Sequence, residues 1–412
     1  MSEWKETEIG KMPAEWALKK IKEISERVSV GYVGITSKYF TNDSDGIPLL
    51  RSQNIRNGKI NFDNLLYITK EFHYANKKSI LQSGDVLVVR VGENRGDTCI
   101  LKNEFKKVNC ANIVFFRPQK EYGKFIELFL RSPYGQFTLE ALTTGSAQGV
   151  INTTSIAEIS VPLPSMEEAV EISALFESIE NKIDLLHRQN KTLEQLAETL
   201  FRQWFVEEVK ENWKPQKVKD VCITISKGTT PTTLGKQFKE SGINFIKAES
   251  LTDTGGFLPD KFAFIDEDTD ELLKRSRIQK GDILITIAGT IGRIAYVTDE
   301  ILPANTNQAI GFMRVNKDII TPHFIYCLFK STEVRNDFES RVVHAVQPNL
   351  SLGEIGDIEF KMPPQEILKN GMKEIESLFT KKEKNINQIR TLTQLRDTLL
   401  PKLMSGEVRI SN

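Results

Sequence analysis

The sequence predicts an α+β chain: two similar mixed α/β domains in pseudo-twofold arrangement, joined by two long antiparallel coiled-coil-like helices. Three observations predict it. One series of residues occurs twice, at a spacing near half the chain; an apolar stripe at helical spacing follows each copy; and the two stripe-bearing segments carry opposite charge. Repetition at a fixed spacing marks a duplicated structural unit, and a heptad seam marks a helix that must bury one face.

The duplication is colinear. Trp16, Ile21 and Ile24 match Trp213, Val218 and Val221 at an offset of 197, as does Gly84-Asp85-Val86-Leu87-Val88 with Gly281-Asp282-Ile283-Leu284-Ile285. Gly46-Ile47 matches Gly242-Ile243 at 196. Later the offset settles at 199, pairing Phe125 with Phe324, Gln148 with Gln347, Ile156 with Ile355 and Leu196 with Leu395. Each domain is a mixed segment in which β-rich runs (85–91, 113–116, 283–287) are bounded by Gly, Asn and Asp, with short helices near 124–131 and 322–330. The expected bounds are 1–165 for the first domain, 166–208 for the first long helix, 209–363 for the second domain, and 364–412 for the second helix and tail.

The first helix has a clear start: Pro162-Leu163-Pro164, then Ser165 as N-cap, then Glu167 and Glu168 in the first turn. Its seam runs through Ile172, Ile179, Leu186, Leu193 and Leu200 in one row and Phe176, Ile183, Asn190 and Ala197 in the other. Asn190 reads either as a register-setting polar position or as a tolerated residue at a wet edge. The second helix follows Pro363-Pro364, with Ile375, Leu378, Phe379, Ile386, Ile389, Leu392, Leu395, Leu399 and Leu403 as its stripe. Lys382 and Asn385 are expected to weaken its middle. Residues 166–212 carry eleven acidic and five basic side chains, and residues 363–412 six and nine. Opposite charge favours pairing of the two helices as a spacer and docking surface. The alternative is that each helix caps its own domain.

Bulk properties exclude several classes. Lys plus Arg equals Asp plus Glu at 55 each, so the chain is no polycation, although phosphate contacts need only a local basic surface. The four cysteines and four histidines form no ligand-spaced cluster, so no metal is expected. Residues 1–11 are polar and no apolar stretch is long enough to span a membrane, which points to the cytoplasm. No GxxxxGK[ST], strand-borne GxGxxG or methylase-type Pro-Pro-aromatic motif occurs. The expectation is a chain with no catalytic residue and no cofactor of its own. Gly84-Asp85 and Gly281-Asp282 read as turns leading into strands rather than as active carboxylates.

If the domains bind DNA, Arg and Lys should meet guanine and phosphate, and Asn and Gln adenine, from loops between strands. The candidates in the first half are Arg51, Gln53, Asn54, Arg56 and Lys59, then Arg90, Asn94 and Arg95, then Ser146 and Gln148. In the second half they are Lys227, Thr229, Thr230, Lys247, Glu249, Thr290, Arg293, His344 and Gln347. The apolar framework repeats while these loops diverge, as two readers of different sequences on one scaffold require. Unconstrained drift of surface loops would leave the same divergence.

Taken together, the duplication, the Gly46-Ile47-Pro48-Leu49-Leu50-Arg51 segment, the Gly-Asp strands, the Pro-Leu-Pro helix entry, Leu200-Phe201-Arg202-Gln203-Trp204-Phe205 and the ending 399–407 (LLPKLMSGE) resemble the specificity subunit of type I restriction-modification systems, over essentially the whole chain. The resemblance implies two target-recognition domains that each read half of a bipartite, asymmetric DNA site, with the helices setting the gap. It further implies docking of two modification subunits bearing S-adenosylmethionine, and of restriction subunits that use ATP and Mg. A helical adaptor with protein-binding domains, or a stand-alone methylase or nuclease, are the competing classes.

Overall fold

In a computed structural model of the chain, the described residues are 3–144, 149–343 and 349–410. They divide into two compact units, Met1–Asp184 with Ile389–Asn412, and Leu185–Gln388. Each unit therefore takes one mixed domain together with a piece of each long helix.

In the first unit a four-stranded antiparallel sheet runs Thr98–Ile100, Val86–Val89, Ile113–Pro118, Ser25–Val30. Side chains alternate across a strand, and both faces are covered. Val86, Val88, Val114 and Phe116 join a core with Phe125, Phe129, Ile172 and Phe176. Leu87, Val89, Ile113 and Phe115 join a second core with Leu50, Ile55, Cys99 and Cys110. A smaller sheet runs Asn109–Cys110, Ile47–Leu50, Leu66–Ile68, the first two strands being parallel.

The second unit repeats this plan. Its large sheet runs Ile294–Tyr296, Ile283–Thr286, Ile310–Val315, Cys222–Lys227, and its small sheet again holds one parallel pair, Ile243–Ile246 with Ala304–Thr306. Ile283, Ile285 and Met313 face one core and Leu284 and Phe312 the other.

The Gly-Asp turns are structural in both units. Asp85 is fully buried and accepts two bonds from Arg117, at 2.7 and 3.0 Å, and one from the Gln82 amide at 2.7 Å. Asp282 does the same with Arg314, at 2.9 and 2.7 Å, and Gln279 at 2.8 Å. A buried carboxylate held by a forked guanidinium ties the strand start to the neighbouring strand.

Six helices matter below: α1 (Lys120–Arg131), α2 (Pro133–Thr144), α3 (Met166–Arg202), α4 (Pro322–Lys330), α5 (Thr332–Val343) and α6 (Gln365–Ser405). Ser165 caps α3 by accepting from the Glu168 amide at 3.2 Å. In the second unit, as the chain advances along α3 from Asn190 to Glu194 and past its end to Phe205, its neighbours on α6 step back from Asn385 to Lys382 to Gly371, so the two run antiparallel. In the first unit, Ala169, Ile172 and Phe176 of α3 share a core with Leu400, Leu403 and Met404 of α6.

Burial follows most of the expected seam. Ile172, Phe176, Ile179, Ile183, Leu186, Asn190, Ala197, Ile375 and Phe379 are buried, and Leu193, Leu200, Leu378, Ile386, Ile389, Leu392 and Leu399 half-buried. Two expectations need correction. Lys382 and Asn385 are not unpartnered breaks in the stripe: Asn385 is 1% exposed and donates to Asn190 at 2.9 Å, while Lys382 binds Glu194 at 2.7 Å. Each polar residue of one helix meets a polar residue of the other. Conversely, Leu395 stands 45% exposed and does not belong to the buried stripe; its repeat partner Leu196 is equally exposed.

Candidate nucleic-acid interface

The hairpin of the first unit is a two-residue turn. Ile55–Arg56 pairs with Lys59–Ile60 through Asn57 and Gly58, whose φ values are 48° and 78°. Two successive left-handed residues define the turn that matches the natural twist of a β-hairpin, and Asn-Gly is the dipeptide that tolerates it. Packed on this hairpin is the 90–97 loop. Arg56 donates to Asn94 and pairs with Asp97 at 3.6 Å, and Asn94 reaches the Ile55 carbonyl at 3.5 Å. Burial raises the Asp97 carboxyl above its ordinary value, with Arg56 and the Asn57 amide pulling the other way.

A third segment closes the cluster. Ile151 donates to the Arg90 carbonyl at 3.2 Å and Arg95 to the Gly149 carbonyl at 2.9 Å. Three stretches distant in sequence thus converge, and between them they carry Arg51, Arg56, Lys59, Arg90, Asn94 and Arg95. Among the described residues, the buried Nε atoms of Arg51 and Arg90 have no partner, while Nη2 of Arg51 donates to the Asn64 carbonyl at 3.1 Å.

Other candidates fare differently. Gln53 is exposed. Asn54 is fully buried: its carbonyl accepts from the Arg51 amide at 3.0 Å and its amide donates to the Asn61 carbonyl at 3.0 Å. The turn therefore consumes the side chain, and Asn54 is withdrawn as a base reader. Lys59 pairs with Asp184. Ser146, Gln148, His344 and Gln347 lie outside the described residues.

The second unit gathers its counterparts in the same way. Leu350 donates to the Ile287 carbonyl at 3.0 Å, as Ile151 does to Arg90. Arg293 binds Asp253 at 2.6 Å and the Leu251 carbonyl at 2.9 Å. Here the acid sits on the hairpin closed by the antiparallel bridge between Leu251 and Phe257, and the cation on the later loop at 289–293, the reverse of Arg56 and Asp97. Lys247 pairs with Glu249 at 3.1 Å, Thr290 gives its carbonyl to the Thr286 hydroxyl, and Thr230 bonds Gln308. Thr229 donates its amide to the Thr306 carbonyl at 3.0 Å, and Lys227 is exposed. Asp97 and Asp253 carry no signal of their own in the sequence, because an acid that holds a reading cation in place cannot be told there from ordinary surface charge.

Among the described residues no group of His, Cys, Asp and Glu is placed to hold a metal ion, and no helix is long and apolar enough to cross a membrane. Burial pushes the thiols of Cys99, Cys110 and Cys327 well up, which suits inert core packing.

Comparison with known proteins agrees with this architecture. The type I restriction modification DNA specificity domain matches twice, over residues 13–195 and 210–394. The MjaIX specificity subunit of Methanocaldococcus jannaschii is 24% identical, over 99% of this chain and 97% of its own. The HindI specificity subunit of Haemophilus influenzae is 21% identical over 99% and 100%. The crystal structure of the type I restriction-modification S subunit from M. genitalium superposes with a TM-score of 0.58 at 15% identity, covering 94% of this chain and 96% of that one.

Proposed function

The chain belongs to the family of type I restriction-modification DNA specificity subunits, and from that premise we propose how it divides its labour. Each unit reads one half of a bipartite, asymmetric DNA site. The paired helices set the gap and dock the modification subunits, and restriction subunits join that core. The reacting groups, S-adenosylmethionine, ATP and Mg belong to those partners, and the assembly works in the cytoplasm, where the DNA is. This chain contributes recognition and geometry only.

One observation carries the reading: the same three-segment loop cluster is built twice on matching frameworks, with the charged groups exchanged between its parts. Arg56 faces Asp97 in one unit and Asp253 faces Arg293 in the other. Equal scaffolds with unlike polar tips are what two readers of different half-sites need, because base edges differ in donor and acceptor pattern. Two docked modification subunits are supported by Leu196 and Leu395, repeat partners that are each 45% exposed. An exposed leucine recurring at a matched position suits two copies of one partner.

The test is a gel-shift of the full chain with its modification subunits, using random duplexes across salt, followed by sequencing of methylated adenines in the host. Binding should weaken by on the order of a thousandfold between about 50 and 200 mM salt if six or more phosphates are contacted. The methylated motif should be split in two. Absence of binding, or a continuous motif, overturns the proposal.

A further inference from the structure

In both units a largely buried cation bonded to α3 also meets the tip of the reading hairpin, at Gly58 in the first and at the Thr254 carbonyl in the second, and we infer that Arg131 and Lys330 are positioning residues that aim the two reading hairpins. The inference rests on the specificity role proposed above.

In the first unit a Cβ at Gly58 would stand 2.6 Å from Cζ of Arg131, and closer still to its Nη1. Glycine is required there twice over, by the positive φ and by this contact. The Arg131 side chain, 13% exposed, cannot yield easily. Its Nη1 donates to Glu180 of α3 at 2.6 Å and to Glu127 of α1 at 3.3 Å. Lys59, next to the turn, adds a pairing to Asp184 on the same helix.

The second unit builds the same linkage with other residues. A Cβ at Gly255, φ 85°, would stand 2.5 Å from Oη of Tyr326 and 3.1 Å from the Ile294 carbonyl. Lys330 donates to the Thr254 carbonyl at 3.4 Å and to Glu194 of α3 at 3.0 Å, and Tyr326 donates to Glu194 at 2.8 Å. Gly58 and Gly255 are repeat partners, as are Arg131 and Lys330. The anchoring acids are not. The duplication places Phe379 of α6 opposite Glu180, and Phe379 stacks on His323 at 4.6 Å instead. The acid of the second unit comes from Glu194 on α3. A linkage rebuilt from non-equivalent residues was not merely inherited with the repeat. It makes the hairpin follow the helix, so a shift of α3 moves the reading tip.

The test measures discrimination, which general loss of stability would not split by half-site. Full chain assembled with modification subunits is titrated with the duplex bearing the host's methylated motif and with single-base variants across both halves. Wild type should discriminate each change by about five- to a hundredfold. Gly58→Ala should reduce this to within about threefold across one half only, and Gly255→Ala across the other half only. Glu180→Gln, which removes the charge that ties Arg131 to α3 while leaving the turn intact, should affect the same half as Gly58→Ala. Loss in both halves at once, or in the same half for Gly58→Ala and Gly255→Ala, overturns the inference, as does full discrimination by all three variants. A wild-type protein without sequence preference overturns the specificity role and the positioning inference together.

Discussion

Asn385 lies in the middle of α6 with 1% of its surface exposed and donates to Asn190 at 2.9 Å, yet its own carbonyl oxygen has no partner among the described residues. A buried amide that is only partly satisfied is costly, and removing its partner costs more. Asn385→Leu should therefore destabilise the fold by about 1–3 kcal/mol, because the Asn190 amide is left buried and unpaired. The double variant with Asn190→Leu should recover most of that loss in urea unfolding, since two apolar side chains suit a seam. A double variant as unstable as the sum of the singles would show that the amides do not act through each other. Nearby, burial alone would raise the Glu194 carboxyl, but Lys382 and Lys330 outweigh it and hold the group below its ordinary 4.5. Glu180 behaves likewise between Lys124 and Arg131. A folded value below the unfolded one means the contribution is complete above about pH 4.5 and fades as pH falls through the folded value. Acid unfolding should steepen in that window, and Glu194→Gln should flatten the slope there. An unchanged slope in the variant would assign the acid sensitivity elsewhere.

At the scale of elements, whatever depends on one segment's own periodicity could be read from sequence. The Pro-Leu-Pro stop, the Ser165 cap and the rows through Ile172 and Phe176 define α3 because cap and stripe both lie within it. What depends on two segments meeting could not be read. Lys382 and Asn385 looked like defects in α6 because their partners, Glu194 and Asn190, belong to another helix. Asn54 looked like a base reader because nothing local shows that its amide closes a turn with Asn61. The matched pairs Gly58 with Gly255 and Arg131 with Lys330 were visible in the repeat, but only the fold brings Gly58 onto Arg131, and Lys330 onto the Thr254 carbonyl beside Gly255. Leu395 reverses the lesson, since its place in a stripe at helical spacing marked it for the core, yet it is 45% exposed, as is its repeat partner Leu196. Leu196→Asp and Leu395→Asp should each change stability by no more than about 0.5 kcal/mol, as exposed sites do. If they are docking positions, each should weaken binding of one modification subunit about thirtyfold or more. Native mass spectrometry should then count one bound copy for each single variant and none for the double. Two copies on the double variant would remove the docking assignment.

For the whole molecule, the proposed ruler makes a claim about length that no single contact carries. The units divide α3 between Asp184 and Leu185, and α6 between Gln388 and Ile389. Insertions at those two points leave every contact inside either unit untouched. Four residues of helix add about 6 Å, and base pairs stack about 3.4 Å apart, so four residues inserted in both helices should widen the gap in the methylated motif by roughly two base pairs. The half-site sequences should not change, because no reading loop has moved within its own unit. Insertion in α3 alone is the informative control. The pairs Asn190 with Asn385 and Glu194 with Lys382 hold one end of the seam, and the core of Ile172, Phe176 and Leu403 holds the other. With one helix longer than its neighbour, both ends cannot stay in register unless four residues bulge out. That variant should lose stability and leave the gap nearly as it was. A gap that widens with the single insertion would mean the helices do not act as a pair, and a gap unchanged by the double insertion would mean that something other than their length sets the spacing.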